Sequence, residues 1–262
     1  MSELRSNLRV VRSLGMRSIR QTFRRPQLIA PIIVFPTLLL AIQTGGAGAA
    51  VNLPGFPQVQ SFLQFMLAGA MMQSLMLAGN SGGIALAVDI EMGFIDRLFA
   101  APISRFTIVA GRLAGTAALG LFAGTWFLAI GLIFGVTIEG GLFGALVALA
   151  LVTAAAMAIG SLGSAVAIRT GSASVVQGFF PLVFVVLFVS TAFFPKNLMI
   201  EPAKTIATYN PLSFVVNGIR DPIVYGLSGS VVLYAVLAIA GIGLLGLAMS
   251  ASALRHRLRT GG

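Results

Sequence analysis

Six long apolar runs, separated by short stretches rich in glycine, proline or charge, divide the chain: about Gln27 to Thr44, Ser61 to Val88, Phe106 to Val136, Leu142 to Ile168, Val175 to Phe194 and Ser230 to Leu254. Each falls in or above the range of about 17–25 residues that carries an α-helix across a bilayer. In lipid the backbone polar groups must be satisfied within the segment itself, so the pattern predicts helices rather than open strands. The fold expected is an all-α polytopic membrane protein, residues 1–262 forming one six-span domain.

Ahead of the first run the periodicity changes. Leu4, Leu8, Val11, Leu14, Gly15 and Ile19 share one arc at helical spacing, and Arg5, Arg9, Arg12, Arg17, Arg20 and Arg24 share the opposite arc. Residues 1–25 therefore read as an amphipathic helix lying in the interface, its arginines reaching lipid phosphates. It either serves only as an orientation signal or also touches a cytoplasmic partner, and the facial segregation favours the second. A cleaved signal peptide is the other reading of this start, with Ala47 to Ala50 as a small-residue cleavage site. The long basic region and the five further runs favour a retained first span.

Composition agrees with the pattern: 57% of residues are hydrophobic, 9% are charged, and mean hydropathy is +0.98. The net charge of +10 is concentrated at span edges. With the N-terminus inside, fourteen of the seventeen lysines and arginines fall on the cytoplasmic side, and only Lys196, Lys204 and Arg220 fall outside. That bias places both termini in the cytoplasm of a cell-membrane protein and argues for an even number of spans. Nucleic-acid binding is set aside, because no separate domain is left to present a basic surface. The absence of cysteine excludes disulfides and thiol chemistry, and no metal site is expected.

Three of the seven acidic residues lie in one cytoplasmic stretch, "DIEMGFIDRLFAAPISR", residues 89–105. Catalysis by Asp89, Glu91 and Asp96 would need partners, and the single histidine, His256, is at the far end of the sequence. Read as a short helix, the stretch puts Phe94, Ile95, Leu98 and Phe99 on one face, with Asp89 and Glu91 near its N-terminus and Pro102 after its end. Anionic lipid would repel the acids, so a partner protein suits this face better than a bilayer.

Within the second run Gln73 and Asn80 interrupt apolar sequence and share a helical face with Gly69, Met76 and Gly83. Polar side chains at membrane depth face a bundle interior or cavity, or bond a neighbouring helix, and both readings stand. Met66, Met71, Met72 and Met76 offer a deformable apolar surface, although methionine more commonly fills a core. Phe180, Phe184, Phe188 and Thr191 form a stripe on the fifth run. Gly111, Gly115, Gly120, Gly124, Gly131 and Gly135 in the third predict close helix packing. In the outer connection, 195–229, Asn210 and Pro211 are placed to open a helix, and two short helices dipping back into the bilayer are expected. Arg220 and Asp221 are read as a local ion pair.

"EMGFIDRLFAAPISR" resembles the coupling helix of type-2 ABC transporter permeases, with an acid, a glycine, a leucine and then Pro-x-Ser-Arg before the third span. "YNPLSFVVNGIRD", Tyr209 to Asp221, resembles the Asn-Pro-Leu element and following arginine of the same family, nearest its daunorubicin-resistance drug-export branch. The resemblance covers essentially the whole chain and implies a dimer of permeases served by two cytoplasmic ATP-binding-cassette ATPase subunits. It implies that Glu91, Gly93, Phe94, Ile95, Leu98, Phe99, Pro102 and Arg105 meet the ATPase, with the Arg169 to Ser174 turn a lesser contact or simply a tight turn. It further implies a substrate route along Gln73, Met76, Asn80, Phe180, Phe184, Phe188 and Thr191, with Asn210, Pro211 and Arg220 at an external gate. ATP and magnesium would belong to the partner, since this sequence has no Gly-x-x-x-x-Gly-Lys-Ser/Thr loop and its only lysines are Lys196 and Lys204.

The function expected is thus the membrane subunit of an exporter for hydrophobic or amphipathic compounds, without an active site of its own. A polysaccharide or glycolipid exporter of the same superfamily is the nearest rival, disfavoured by one tryptophan and three tyrosines. An ion-coupled secondary transporter would need ionisable groups at mid-membrane.

Overall fold

A computed structural model describes residues 13, 15–20, 22–24, 26–93 and 105–259. Phe94, Ile95, Leu98, Phe99 and Pro102 of the expected coupling helix, and the first twelve residues of the amphipathic segment, lie outside the described residues. The described residues form helices α1 (Pro26–Ala47), α2 (Phe62–Glu91), α3 (Arg105–Ile133), α4 (Gly141–Thr170), α5 (Ala173–Phe188), α6 (Ala203–Tyr209), α7 (Pro211–Val224) and α8 (Gly229–Arg259), with no strand among them. Five apolar stretches, on α1 with the turn after it and on α2, α3, α4 and α8, are long enough to cross a membrane.

The fifth expected span is shorter than its apolar run. α5 has 16 residues, about 24 Å at 1.5 Å per residue against a hydrocarbon core of about 30 Å. Its last carbonyls are taken up by a turn, Val189 N–H to Val185 O at 3.2 Å and Ser190 N–H to Leu187 O at 3.0 Å. The chain then returns through α6 and α7, the two short helices expected before the last span.

α2 is the central helix, in contact with α1, α3, α4, α5 and α7. Phe65, Met66, Leu67, Met71, Met72, Leu75 and Met76 are all fully buried. The methionines therefore fill the core on every side of α2. The α2–α4 crossing is made by small residues: a Cβ on Gly83 would lie 2.8 Å from the carbonyl carbon of Gly163, and one on Gly79 2.7 Å from Ile159 Cγ2. The glycines of α3 serve several neighbours, Gly120 and Gly124 facing α4 and Gly131 facing Leu67 of α2. Gly15 and Ser18 of the N-terminal segment pack against Ala114 and Gly115 of α3, while Arg17 and Arg20 are exposed.

Local signals explain the starts and stops. Ser61 caps α2 by accepting from Gln64 N–H at 3.2 Å, and Gln64 Oε1 accepts from Gln60 N–H at 2.8 Å, close to a capping box. Gln64 is buried, and its Nε2 donates to Thr137 O at 3.2 Å and Ile223 O at 3.4 Å. Gly171 ends α4 in the left-handed region at φ 64°, its N–H bonded to Ala167 O, so α5 begins two residues later. α1 and α8 turn apolar side chains outward, among them Phe35, Leu38, Leu237 and Leu244.

Candidate functional site

The expected site residues fall into three places along the bundle: its arginine-bearing end near Arg169 and Arg255, its middle, and its opposite end.

At the arginine-bearing end, α2 continues through Glu91 and stops at Gly93, which is left-handed at φ 67° and donates to Ile90 O at 2.9 Å. Asp89 and Glu91 thus occupy the last turn of α2, not the first turn of a new helix. A carboxylate there opposes its own helix dipole. Glu91 finds a better partner: its Oε1 accepts from Ala173 N–H at 2.8 Å, the first residue of α5, whose N-cap Ser172 makes no side-chain cap of its own. The acid at the end of one helix caps the start of another, joining the 89–105 segment to the 169–174 turn. Asp89 is only 2% exposed, beside a small core of Leu86, Ile90, Ile168, Val176 and Ala253. Arg105 opens α3.

In the middle, Met76 and Asn80 of α2 and Phe180 of α5 line one small cavity of about 20 Å³ with Ile159 and Val183. The two faces picked out in sequence therefore meet. Gln73 is buried nearby on α2 at 1% exposure, its Oε1 without a hydrogen-bond partner among the described residues. The phenylalanine stripe is a continuous ladder, with ring centroids 5.2 Å apart for Phe180–Phe184 and 5.3 Å for Phe184–Phe188. It extends to Phe193, stacked 4.8 Å from Phe188, and sideways to Phe35 of α1 at 6.4 Å from Phe184. Neither extension was expected. Phe179, Leu182, Val185 and Phe188 on α5 are exposed.

Thr191 leaves the stripe and belongs to the opposite end. Its N–H donates to Ser213 Oγ at 3.1 Å, its Oγ1 to Asn217 Oδ1 at 3.0 Å, and its carbonyl accepts from Arg220 Nη1 at 3.0 Å. Arg220 also donates from Nε to Phe65 O at 3.2 Å, from Nη2 to Ala192 O at 3.0 Å and from Nη1 to Asn217 Oδ1 at 3.2 Å. Its guanidinium carbon sits 4.0 Å over the Phe65 ring. The expected ion pair with Asp221 is not formed: Asp221 Oδ2 accepts from Ser228 N–H at 2.6 Å. Adjacent residues on a helix point about 100° apart, so sequence neighbours do not face each other.

Asn210 and Pro211 open α7 as the sequence indicates. Asn210 Oδ1 accepts from Leu212 N–H at 2.9 Å, and Pro211 is the first helical residue. The Asn210 Nδ2 donates to Val186 O at 2.7 Å, pinning the α7 start to an otherwise orphaned carbonyl near the end of α5. The other end of α7 is held by the α3–α4 loop, Glu139 N–H to Ile223 O at 3.1 Å and Gly140 N–H to Pro222 O at 3.0 Å. Outside the spans, a hydrogen bond from the Thr205 hydroxyl holds the Glu201 carboxyl below its ordinary range. No group of three or more metal-ligating side chains occurs among the described residues.

The family model for the ABC-2 type transporter matches residues 9–224, most of the chain and every element from α1 to α7. The chain belongs to the ABC-2 type transporter permeases. It is 28% identical over 215 residues to the transport permease ycf38 of Porphyra purpurea, covering 80% of this chain and 72% of that protein. It is 24% identical over 208 residues to the daunorubicin resistance ABC transporter permease protein DrrB1 of Streptomyces coeruleorubidus, covering 78% and 71%. The corresponding ycf38 of Pyropia yezoensis is 27% identical over 223 residues. As an ABC-2 permease the protein is a multi-pass membrane transport subunit of a family that works with ATP-binding-cassette partner subunits and generally lacks an ATPase site.

In this ABC-2 permease the three places are physically linked through α5. Glu91 holds its first residue, the ladder runs along its length, and Asn210 holds its last turn.

Proposed function

We propose that the protein is the membrane subunit of an ATP-driven exporter that moves hydrophobic or amphipathic compounds, drug-like or lipid-like, out of the cytoplasm by alternating access. The single observation that carries this reading is the phenylalanine ladder of α5, half-buried at Phe180 and Phe184, exposed at Phe188, and meeting the Met76–Asn80 face of α2. Such a surface offers apolar contact area and soft, non-directional recognition suited to varied apolar cargo. The resistance named for the relative DrrB1 fits cargo of this class.

The arginine-bearing end faces the cytoplasm of the cell membrane, with both termini inside. Two cytoplasmic ATPase subunits bind ATP and magnesium and engage the 89–105 segment, and a second permease copy or paralogue completes the route between α2 and α5. Closure of the ATPase pair displaces the end of α2, and through Glu91 it displaces the start of α5. Asn210, Pro211 and Arg220 hold the far end, where the route opens outward.

The test is reconstitution with the partner ATPase in vesicles, following a fluorescent hydrophobic cation and its stimulation of ATP hydrolysis. Phe184→Ala, Asn80→Ala and Gln73→Ala are expected to lower transport and stimulation while leaving basal hydrolysis in place. If all three leave both quantities unchanged, the route lies elsewhere.

A further inference from the structure

A cavity of about 440 Å³ lies at the end of the bundle away from Arg169 and Arg255, between α7, the start of α8 and the turn after α5. That volume is in the range of small-molecule sites, about 300–1,000 Å³. Its inner wall is Arg220, its rim includes Lys196, and its outer side is Phe214, Val231 and Tyr234.

Three features of the wall point to one ligand chemistry. Arg220 is 4% exposed, and its four hydrogen bonds go to three backbone carbonyls and the amide oxygen of Asn217. None of these acceptors carries charge. A guanidinium has five N–H donors, so one Nη2 hydrogen remains beyond those four bonds. A buried cation satisfied only by neutral dipoles keeps its field, and that field favours an anion in the adjoining space. Lys196 adds a second, exposed cation. Asp221, the one acid in the lining, already accepts from Ser228 N–H, which leaves Arg220 and Lys196 against one carboxylate in the wall, with Glu201 outside it near enough to Lys196 to interact.

The outer side is apolar and open. Phe214 and Tyr234 approach with ring centroids 6.1 Å apart and are 37% and 58% exposed. Tyr234 lies in the second turn of α8, which begins at Gly229. Tyrosine at the end of a span is an interfacial residue, its ring among acyl chains and its hydroxyl at headgroup level. The cavity therefore sits where a headgroup meets hydrocarbon.

We propose that this cavity is a binding site for an anionic phospholipid of the adjacent leaflet, its phosphate facing Arg220 and Lys196 and an acyl chain lying along Phe214, Val231 and Tyr234. The site is separate from the Met76–Asn80–Phe180 contact and does not depend on the chain being an exporter.

The experiment is native mass spectrometry and thermal unfolding of the full chain in neutral detergent, with phosphatidylglycerol, phosphatidylcholine or inorganic phosphate added. Phosphatidylglycerol is expected to stay bound at one per chain and to raise the unfolding temperature, and phosphatidylcholine of the same chain length to do neither. The exposed double variant Lys196→Gln/Tyr234→Ala should fold and lose about tenfold in phosphatidylglycerol affinity, roughly three- to fivefold for each contact. Arg220→Lys keeps the charge without the fork; if it folds, it should bind with intermediate affinity. Equal retention of the two lipids, unchanged affinity in the double variant, or equal stabilisation by inorganic phosphate would each overturn the proposal. Because no ATPase or cargo is involved, a negative result leaves the transport reading untouched, and failed transport leaves this site untouched.

Discussion

Replacing Gly83 by alanine tests how tightly the central helix is set against α4. The added Cβ would stand 2.8 Å from the carbonyl carbon of Gly163, 2.9 Å from its Cα and 3.0 Å from its oxygen. Carbon pairs settle at about 3.5–4.0 Å, so the two backbones must part by roughly an ångström, and no rotamer change can relieve a clash with main chain. The reciprocal change is milder: a Cβ on Gly163 would meet Gly83 Cα at 3.3 Å and Gly79 O at 3.4 Å, which needs only a few tenths of an ångström. Both variants share the gain of about 1 kcal/mol that alanine has over glycine inside a helix, so it cancels in the comparison. What remains is the overpacking cost, about 1–3 kcal/mol, carried mainly by Gly83→Ala. At about 2–4 °C per kcal/mol for a domain of this size, a cost near the middle of that range, about 2 kcal/mol, puts the unfolding of Gly83→Ala about 4–8 °C below that of Gly163→Ala. Thermal unfolding of the two variants in the same detergent reads this directly. Equal stabilities, or Gly83→Ala the more stable, would mean the helices do not cross at these glycines.

Glu91→Ala removes the cap on α5, whereas Glu91→Gln keeps an acceptor oxygen for Ala173 N–H. In the reconstituted complex the alanine variant should transport several-fold less per ATP hydrolysed and the glutamine variant should retain most coupling; wild-type coupling in Glu91→Ala refutes the link. Asn210→Asp preserves the cap on Leu212 but has no donor for Val186 O. It should cost about 1 kcal/mol, with Asn210→Ala costing about 1–3 kcal/mol by denaturant unfolding, and identical losses would show that only one of the two bonds matters. Gln64→Leu strands the Thr137 carbonyl that Gln64 Nε2 satisfies, for a loss of about 1–3 kcal/mol. An unaltered denaturation midpoint in that variant would show that water replaces the side chain at no cost.

Elements governed by local chemistry were legible in the sequence. The spans on α1, α2, α3, α4 and α8 follow from apolar length, and the start of α7 follows from Asn210 and Pro211, whose roles depend only on their nearest neighbours. The length of α5 was not legible, because the apolar run continues through Val189, Ala192, Phe193 and Phe194 and hydropathy does not separate a buried helix from a buried turn. The end of α2 was misplaced for a related reason. Asp89 and Glu91 are favourable at a helix N-terminus, and the N-terminus that Glu91 serves belongs to α5, far along the sequence. Arg220 looked paired with Asp221 because they are adjacent, yet adjacency on a helix separates side chains. Three of its four partners, the carbonyls of Phe65, Thr191 and Ala192, are backbone groups that no side-chain pattern reveals; only Asn217, one turn earlier on α7, is a side chain. The α2 and α5 faces each show in helical periodicity, but periodicity within one helix does not say which other face it meets; that pairing came only from the family resemblance.

The bonding of α5 says what kind of movement it can make. Along its length only Val176 and Leu187 are buried, and the ladder contacts are apolar, without preferred direction. Its ends are different: Glu91 grips the first N–H and Asn210 grips a carbonyl of the last turn, both by directional hydrogen bonds under 3 Å. A helix held in this way resists sliding along its axis, because axial travel would break one anchor or drag α7. α7 is itself tied to the α3–α4 loop through Pro222 and Ile223 and to α2 through Arg220 and Phe65. Tilting about the Asn210 end breaks neither anchor if the end of α2 moves with Glu91, and it sweeps the phenylalanine ladder sideways. The pattern of bonds thus favours rocking of α5 over piston motion, with the largest displacement at the Glu91 end and the smallest beside Arg220.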